Sequence, residues 1–175
     1  MRGARPKAAA RRPIVLVGFM ASGKSTVGAA LAERLGWRFV DTDQLIEQET
    51  GRSVTEIFGR QGEAEFRELE RALILGVIGH EPRVIAVGGG AFTDPVLRSR
   101  LSRAATTVWL DAPVELILER LAESTDRPLA SGKSTADLRQ LWDERRPSYA
   151  EAHLRIAVAD ADLLEVVERI VASVS

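Results

Sequence analysis

The chain has 175 residues, a formal net charge of −1 and 45% hydrophobic residues, which are enough to build one buried core. It contains no cysteine, and this excludes disulfides, thiolate nucleophiles and zinc-thiolate sites. Its longest apolar run, residues 72–79, is far shorter than the roughly 18 residues that span a bilayer, so we expect no membrane association. Basic and acidic residues are interspersed along most of the chain, which argues against a nucleic-acid-binding face.

The first thirteen residues depart from this balance. They carry five basic residues and no acid, and they lack the apolar segment of a secretory signal. We expect residues 1–13 to form a disordered, solvated tail and residues 14–175 to form a single domain. A targeting or interaction role for the tail is the alternative.

Short apolar runs alternate with stretches of helical periodicity from residue 14 onward. These runs predict five strands, at residues 14–17, 39–40, 84–87, 107–110 and 154–158. Residues 26–35 repeat apolar side chains at helical spacing and stop at Gly36, which predicts the first helix and its end. The alternation of strand and helix predicts an α/β fold with a five-stranded parallel sheet and helices on both of its faces.

Capping signals mark several of the other helices. Residues 53–56, Ser-Val-Thr-Glu, form a capping box that predicts a short helix, and Gly62 precedes a longer one. Pro95 and Pro113 are each expected in the first turn of a helix, behind the acidic caps Asp94 and Asp111. Residues 165–174 predict a final amphipathic helix.

The segment from Gly18 to Thr26 fits the pattern GxxxxGK[ST] and lies between the first predicted strand and the first predicted helix. The backbone N–H groups of such a loop wrap phosphates, Lys24 adds positive charge, and the Ser25 hydroxyl can ligate Mg²⁺. The segment therefore predicts a nucleotide-binding site. A similar string at residues 131–135 lacks both the first glycine and a preceding strand, so we expect a flexible loop and a helix start there.

Acidic side chains follow the second predicted strand, and glycines follow the third. Asp41 and Asp43 follow the second strand, and Gly88, Gly89 and Gly90 follow the third. The carboxyl ends of parallel strands meet at one crevice, so Asp41 is available to support a metal ion and Asp43 to accept or orient a hydroxyl proton. The alternative for the two aspartates is a loop and a helix N-cap. The glycines allow the backbone to approach a ligand closely, with a plain tight turn as the alternative.

Two arginines outside these strand ends are also candidates. Arg67 lies in a helix rich in charged residues, most of which are expected to be solvated. Arg127 lies in a segment between helices, at about residues 121–134, that reads as a mobile lid able to bring an arginine to the phosphates.

These motifs, together with Glu65-Phe66-Arg67, Arg127-Pro128-Leu129 and Arg145-Arg146-Pro147-Ser148-Tyr149, occur in the order found in shikimate kinases. The chain resembles that family over residues 14–158. The resemblance implies a P-loop, nucleoside-monophosphate-kinase-like three-layer fold with a mobile lid. It also implies an enzyme that uses ATP and Mg²⁺ to phosphorylate the 3-hydroxyl of shikimate. We expect this enzyme to be a cytoplasmic monomer.

The resemblance also implies a role for each candidate residue. Lys24 would hold the phosphates, Asp43 would orient or deprotonate the acceptor hydroxyl, and Arg127 would reach the phosphates from the lid. Ser25 would bind Mg²⁺ directly, and Asp41 would bind it through water. Further nucleotide contacts would come from Ala21, Ser22, Gly23, Thr26 and Arg120, with Arg120 against the adenine. Arg67 and Arg145 would bind the shikimate carboxylate, and Gly88, Gly89 and Gly90 would border the acceptor pocket.

The chain departs from the family pattern in two places. Ala21 stands where family members often carry glycine, so the loop must tolerate a Cβ there, and Ala130 replaces a frequent second leucine after the arginine-proline pair. Arg146 lies beside Arg145, and the spacing to Pro147 favours Arg145 as the site residue.

Gluconate kinase is the nearest alternative enzyme, and an ATP-binding regulator without catalysis is the alternative from another class. A GTPase is excluded, because its Asn-Lys-x-Asp motif needs asparagine and the chain contains none.

Overall fold

A computed structural model describes residues 12–79, 81–124, 132–159 and 161–174. The five strands are β1 (Ile14–Val17), β2 (Arg38–Asp41), β3 (Arg83–Ala86), β4 (Thr106–Asp111) and β5 (Leu154–Ala157). The seven helices of the described residues are α1 (Lys24–Leu35), α2 (Thr42–Thr50), α3 (Val54–Val77), α4 (Pro95–Ala104), α5 (Val114–Glu123), α6 (Thr135–Tyr149) and α7 (Leu163–Val174). A 3-10 turn, Ala91–Thr93, precedes α4.

All five strands are parallel and lie in the order β2-β3-β1-β4-β5, so the predicted sheet is confirmed. β1 is central and all four of its residues are at most 1% exposed, which explains its uninterrupted apolar sequence. The chain moves to one side of β1 to form β2 and β3 and to the other side to form β4 and β5. The reversal places a crevice at the carboxyl ends of β1 and β3, where the loop after β1 meets the glycines after β3.

The edge strands are less buried than the central ones, and helices cover the sheet between them. α1 packs against β2, β3 and α7, α7 packs against β5, and α4 packs against β4. Ile74 of α3 and Leu101 of α4 are both fully buried in the main core. A smaller apolar cluster, formed by Ile46, Ile57 and Phe66, joins α2 to α3 beside the crevice.

Most of the predicted helix signals are confirmed. Gly36 ends α1 in a left-handed conformation, Ser53 and Glu56 form a capping box, and the non-helical Gly62 separates the two parts of α3. Asp94 accepts hydrogen bonds from the backbone N–H groups of Val96 (2.9 Å) and Leu97 (3.2 Å) and so caps α4.

The predicted cap at Asp111 is wrong. Asp111 is still part of β4, and Pro113 itself is the N-cap residue of α5 and provides no side-chain cap. The Asp111 carboxylate instead accepts hydrogen bonds from Arg155 of the neighbouring strand β5, at 2.6 and 2.8 Å. A strand that runs to Asp111 directs this side chain toward its lateral neighbour and not toward the next helix.

The amino-terminal end of the described chain contacts the domain. Arg12 donates a hydrogen bond to the Ser102 carbonyl (3.2 Å), and the Pro13 carbonyl accepts one from the Thr106 N–H (2.8 Å). Residues 1–11 of the predicted tail lie outside the described residues. Within the described residues, no helix is both long enough and apolar enough to cross a membrane.

Candidate active site

The loop from Gly18 to Gly23 joins the central strand β1 to the start of α1. The Lys24 ammonium donates hydrogen bonds to the carbonyls of Gly18 (2.9 Å) and Phe19 (2.8 Å), so this side chain folds back over the loop that precedes it. The N-terminus of α1 adds its partial positive charge at the same place. The loop therefore combines a cation with a helix N-terminus, both of which favour a chain of phosphates.

Ala21 takes up a left-handed backbone conformation, with φ of 59°, that alanine rarely adopts. Its side chain is buried, and its carbonyl accepts a hydrogen bond from Arg120 Nη1 at 2.9 Å. The loop thus accommodates the Cβ that the sequence places there, and Arg120 holds the strained residue from the side of α5.

The Asp41 carboxylate uses its two oxygens for different contacts. Oδ1 accepts hydrogen bonds from the N–H groups of Asp43 (3.0 Å) and Gln44 (3.3 Å) and caps α2. Oδ2 accepts a hydrogen bond from the Ser25 hydroxyl. The N-cap alternative for Asp41 is therefore confirmed, and the same carboxylate also faces the phosphate loop.

The Ser25 and Asp41 oxygens fit a magnesium site. Mg²⁺ in enzymes that bind phosphates commonly takes one or two protein oxygens and completes its shell with water and phosphate. Within the described ranges, no group of three or more histidine, aspartate or glutamate side chains forms a metal cage. A hydroxyl and one carboxylate beside a phosphate loop are the donor set expected for a magnesium-nucleotide complex.

One cavity of about 390 Å³ brings most of the predicted residues together. The phosphate loop and the Ser25–Asp41 pair line one part of it. Apolar side chains of α3, among them Phe58 and Phe66, form another wall. The predicted residues that line this cavity are Ala21, Gly23, Lys24, Ser25, Thr26, Asp41, Asp43, Arg67, Gly88, Gly89, Gly90 and Arg145.

Arg67 is held inside the cavity by the buried carboxylate of Glu70, although most charged residues of this helix were expected to be solvated. Arg67 Nη1 donates a hydrogen bond to Glu70 Oε2 at 2.7 Å, and Arg67 Nη2 lies 3.4 Å from Glu63. Glu70 is 1% exposed, and burial raises its pKa, while the Arg67 charge and hydrogen bond oppose that rise. The nearby Asp43 charge also raises the Glu70 pKa. Among the described residues, Glu70 Oε1 has no hydrogen-bond partner.

The glycines after β3 lie so close to these charged side chains that they have no room for a side chain themselves. A Cβ on Gly90 would lie 2.4 Å from Arg67 Nη2. A Cβ on Gly88 would lie 2.4 Å from Glu70 Oε1 and 3.3 Å from Asp43 Oδ1. The glycines therefore allow two helices to bring charged groups directly against the backbone.

Arg145 and not Arg146 enters the cavity. The Arg145 residue is 9% exposed, its guanidinium carbon lies 5.6 Å from the centre of the Phe19 ring, and in the described part of the chain its Nη1 has no hydrogen-bond partner. Arg146 lies over the Trp142 ring at 4.5 Å and the Trp109 ring at 5.8 Å. The spacing to Pro147 thus selected the arginine that faces the site.

A second cavity, of about 410 Å³, lies on the other side of the phosphate loop. Ser22 and Arg120 line it, and Val158, Leu163 and Val166 supply apolar surface. Ala21, Gly23 and Thr26 border both cavities, which are therefore adjacent along the loop. A wall that combines apolar side chains with Arg120 suits the flat ring of a nucleotide base.

Arg127 lies outside the described residues, so its role at the phosphates stays a prediction. The predicted lid at about residues 121–134 begins within α5, which ends at Glu123, and it ends at Ser134, which caps α6.

The comparisons with known proteins agree with this geometry. The family model for shikimate kinase matches residues 20–175. The chain belongs to the shikimate kinase family. A shikimate kinase from Persephonella marina is 41% identical over 91% of this chain and 96% of its own length. One from Geobacter sulfurreducens is 46% identical over 91% of this chain and 88% of its own.

A solved structure described as shikimate kinase from Acinetobacter baumannii in complex with shikimate superposes with a TM-score of 0.89. It is 36% identical and covers 93% of this chain and 92% of its own. The resemblance stated from the motifs is therefore confirmed for both family and fold, and family membership decides against a gluconate kinase.

Sequence reasoning missed two residues, Glu70, which lines the cavity, and Tyr149, which contacts its glycines. Phe66, Glu70 and Ile74 are all buried and recur every four residues, so they share one face of α3. That spacing was the available signal for Glu70. Tyr149 is buried at the end of α6 and its hydroxyl contacts the Gly89 carbonyl, 60 residues away in sequence, which no local pattern reveals.

Proposed function

We propose that this chain transfers the γ-phosphate of ATP to the 3-hydroxyl of shikimate, with Mg²⁺, and releases shikimate 3-phosphate and ADP. Family membership supports this reaction. The single observation that carries it is that the phosphate loop and the charged groups suited to a hydroxylated acid line one continuous cavity. Donor and acceptor can then meet without an intermediate carrier, as direct phosphoryl transfer requires.

The nucleotide would lie along the phosphate loop between the two cavities. Its phosphates would contact the backbone from Ala21 to Thr26, with Lys24 as the neutralising cation. Its base would enter the second cavity beside Arg120. Arg127 would approach from the lid, and closure of the lid would exclude water that otherwise hydrolyses ATP.

Ser25 would bind Mg²⁺ directly and Asp41 would bind it through a water molecule. The ion, when bound, neutralises charge on the phosphate oxygens. The Asp41 carboxylate is held in place by the N–H groups of Asp43 and Gln44, so one of its oxygens stays directed toward Ser25. This fixed orientation supports the assignment.

The acceptor would be bound through its carboxylate at one end, and its hydroxyl would be oriented at the other. Arg67 and Arg145 would bind its carboxylate, because a guanidinium can form two parallel hydrogen bonds with a carboxylate. The backbone of Gly88, Gly89 and Gly90 would border the ring. Asp43, in the first turn of α2 and on the wall of the same cavity, would orient the 3-hydroxyl or accept its proton.

We also propose that the protein works as a cytoplasmic monomer that binds neither nucleic acid nor membrane. The interspersed charges of the sequence support the first part of that exclusion. Light scattering after size-exclusion chromatography measures the oligomeric state, and a mass of about twice 19.1 kDa would contradict a monomer.

A substrate panel tests the reaction. ADP release is measured with ATP and Mg²⁺ in the presence of shikimate, gluconate or a nucleoside monophosphate. We expect stimulation by shikimate alone, and stimulation by gluconate alone would overturn the proposal.

The role of Asp43 is tested by Asp43→Asn, with Asp143→Asn as the control because Asp143 is an exposed carboxylate of α6. Asp43→Asn should lower turnover by about a hundredfold or more and keep the affinity for nucleotide, and the control should change neither. A similar loss of nucleotide affinity in Asp43→Asn would contradict the assigned role.

A further inference from the structure

Tyr149 connects α6 to the glycines of the acceptor pocket. Its side chain is 1% exposed, and its hydroxyl donates a hydrogen bond to the carbonyl of Gly89. Burial raises the Tyr149 pKa to about 12, so the phenol stays protonated and remains a hydrogen-bond donor at neutral pH.

Tyr149 also lies next to Arg145. The two residues are four apart on α6 and therefore project from the same side of the helix. The Arg145 charge opposes the rise in the Tyr149 pKa, in keeping with this placement. The phenol thus bonds to the glycine backbone on the side of α6 that also carries Arg145.

Gly89 itself lies between the two halves of the site. A Cβ built on Gly89 would be 3.4 Å from Arg145 Nη1 and 3.2 Å from the backbone N of Met20 in the phosphate loop. A displacement of the Gly89 backbone would therefore alter the space next to the Arg145 guanidinium. The Tyr149 hydroxyl is a side-chain group that holds the Gly89 carbonyl.

The Tyr149 ring is supported by the sheet. It packs at a tilt against the Trp109 ring, with 6.1 Å between centroids, and Trp109 pairs with Val17 of the strand that leads into the phosphate loop. On the far side of the glycines, Arg98 donates hydrogen bonds to the carbonyls of Phe92 (3.0 Å) and Thr93 (3.3 Å). The chain after β3 is therefore held at Gly89, beside Arg145, and again at Phe92 and Thr93 in the turn that follows.

We propose that Tyr149 is a positioning residue for the acceptor: its hydroxyl fixes the Gly89 backbone relative to the Arg145 guanidinium and thereby sets the geometry of the carboxylate-binding site. This inference rests on the proposed role of Arg145. Tyr149 acts through these groups and does not itself contact the transferred phosphate.

The test is Tyr149→Phe, which keeps the ring and removes the hydroxyl. We expect the KM for shikimate to rise about five- to tenfold, the effect of one well-placed hydrogen bond. The kcat and the KM for ATP should stay within twofold. An unchanged KM for shikimate, or a parallel rise in both KM values, would overturn the inference.

Thr107→Val is the matched control. It also removes a buried hydroxyl, which contacts His153 Nδ1 at 3.0 Å, but Thr107 is near the start of β4, away from the carboxyl ends of the strands where the site lies. It should lower the melting temperature and leave both KM values unchanged. A rise in the KM for shikimate in this control would show that general loosening of the fold suffices and would overturn the inference.

The double variant Tyr149→Phe/Arg145→Met separates the two proposals. If Arg145→Met leaves the KM for shikimate unchanged, the proposed role of Arg145 is wrong and the inference fails with it. If Arg145→Met raises that KM, we expect Tyr149→Phe to add less than twofold in its presence. A full five- to tenfold addition would show that Tyr149 acts independently of Arg145 and would overturn the inference alone.

Discussion

Replacement of Arg145 by methionine separates what this side chain does for a ligand from what it does for the fold. The guanidinium is buried over the Phe19 ring, and one of its nitrogens has no hydrogen-bond partner among the described residues. Glu70 feels the Arg145 charge but forms its hydrogen bond with Arg67. A buried cation without a close ion pair contributes little to stability, and methionine can fill a similar apolar path. We therefore expect the free energy of unfolding to fall by no more than about 1 kcal/mol.

The expected loss of acceptor affinity is much larger. A charge-assisted hydrogen bond contributes about 1.5–3 kcal/mol, and loss of one partner of a desolvated charge pair costs about 2–5 kcal/mol. Because Arg67 stays in the cavity and still meets the carboxylate, we expect about 2–4 kcal/mol. At about 1.4 kcal/mol for each tenfold change, this corresponds to a rise of about 30- to 700-fold in the dissociation constant for shikimate.

Arg146→Met is the matched control, since Arg146 follows Arg145 directly and lies over Trp142 outside the cavity. Calorimetric titration with shikimate measures affinity, and urea unfolding followed by tryptophan fluorescence measures stability. We expect only Arg145→Met to lose affinity. Equal losses in both variants, or a loss of more than about 2 kcal/mol of stability with unchanged affinity in Arg145→Met, would refute the reasoning.

Substitutions at three further positions test the electrostatics and the backbone of the site. Asp41→Asn keeps a good helix cap but loses the charge that faces Ser25. The Mg²⁺ concentration for half-maximal activity should therefore rise at least about tenfold, while the melting temperature stays close to that of the wild type. Asp41→Ala also loses the cap, so its free energy of unfolding should fall by about 1 kcal/mol as well. A large fall in the melting temperature of Asp41→Asn would contradict this. Burial raises the Glu70 pKa above its ordinary value, so the ionised carboxylate is disfavoured in the folded state. As the pH falls from 7 through that raised pKa, urea unfolding should show the wild type gaining stability relative to Glu70→Gln. A difference in stability that does not change with pH would contradict this expectation. Ala21→Gly should change the free energy of unfolding by less than about 1 kcal/mol. It relieves about 1 kcal/mol of left-handed backbone strain, but it also removes a buried methyl group and makes the unfolded chain more flexible. A gain of about 2 kcal/mol in the free energy of unfolding, measured by thermal or urea unfolding, would contradict this balance.

The features predicted well from the sequence are those whose cause is local. The loop from Gly18 to Thr26 needs particular residues at fixed spacing, and apolar runs that are buried on both faces can form only central strands. Asp94 and Pro95 are adjacent, so their cap could be identified without knowledge of the rest of the fold. The order of such elements was sufficient to predict the sheet and the crevice.

The sequence predictions fail where a side chain can bind either a neighbour in sequence or a residue on an adjacent strand or helix. Asp111 lies two residues before Pro113, as a cap would, but β4 extends through Asp111 and its carboxylate pairs with Arg155. Most charged residues around Arg67 were expected to be solvated, yet α3 turns Glu70 inward beside Arg67. The partner of Asp111 depends on which strand lies alongside, and spacing in a single sequence does not contain that information. For Glu70, the four-residue spacing from Phe66 and to Ile74 was a usable signal.

The two interpretations of Asp41 were set against each other, and the geometry shows why they do not compete. A carboxylate has two oxygens: one binds the N–H groups at the start of α2, and the other accepts the Ser25 hydroxyl. The cap prevents the side chain from rotating, so the second oxygen stays aimed at the phosphate loop. The same helix start places Asp43 on the wall of the cavity. A local structural role at the end of a strand is thus the means by which the carboxylate is oriented, and evidence for a cap at such a position should raise, not lower, the expectation of a functional role.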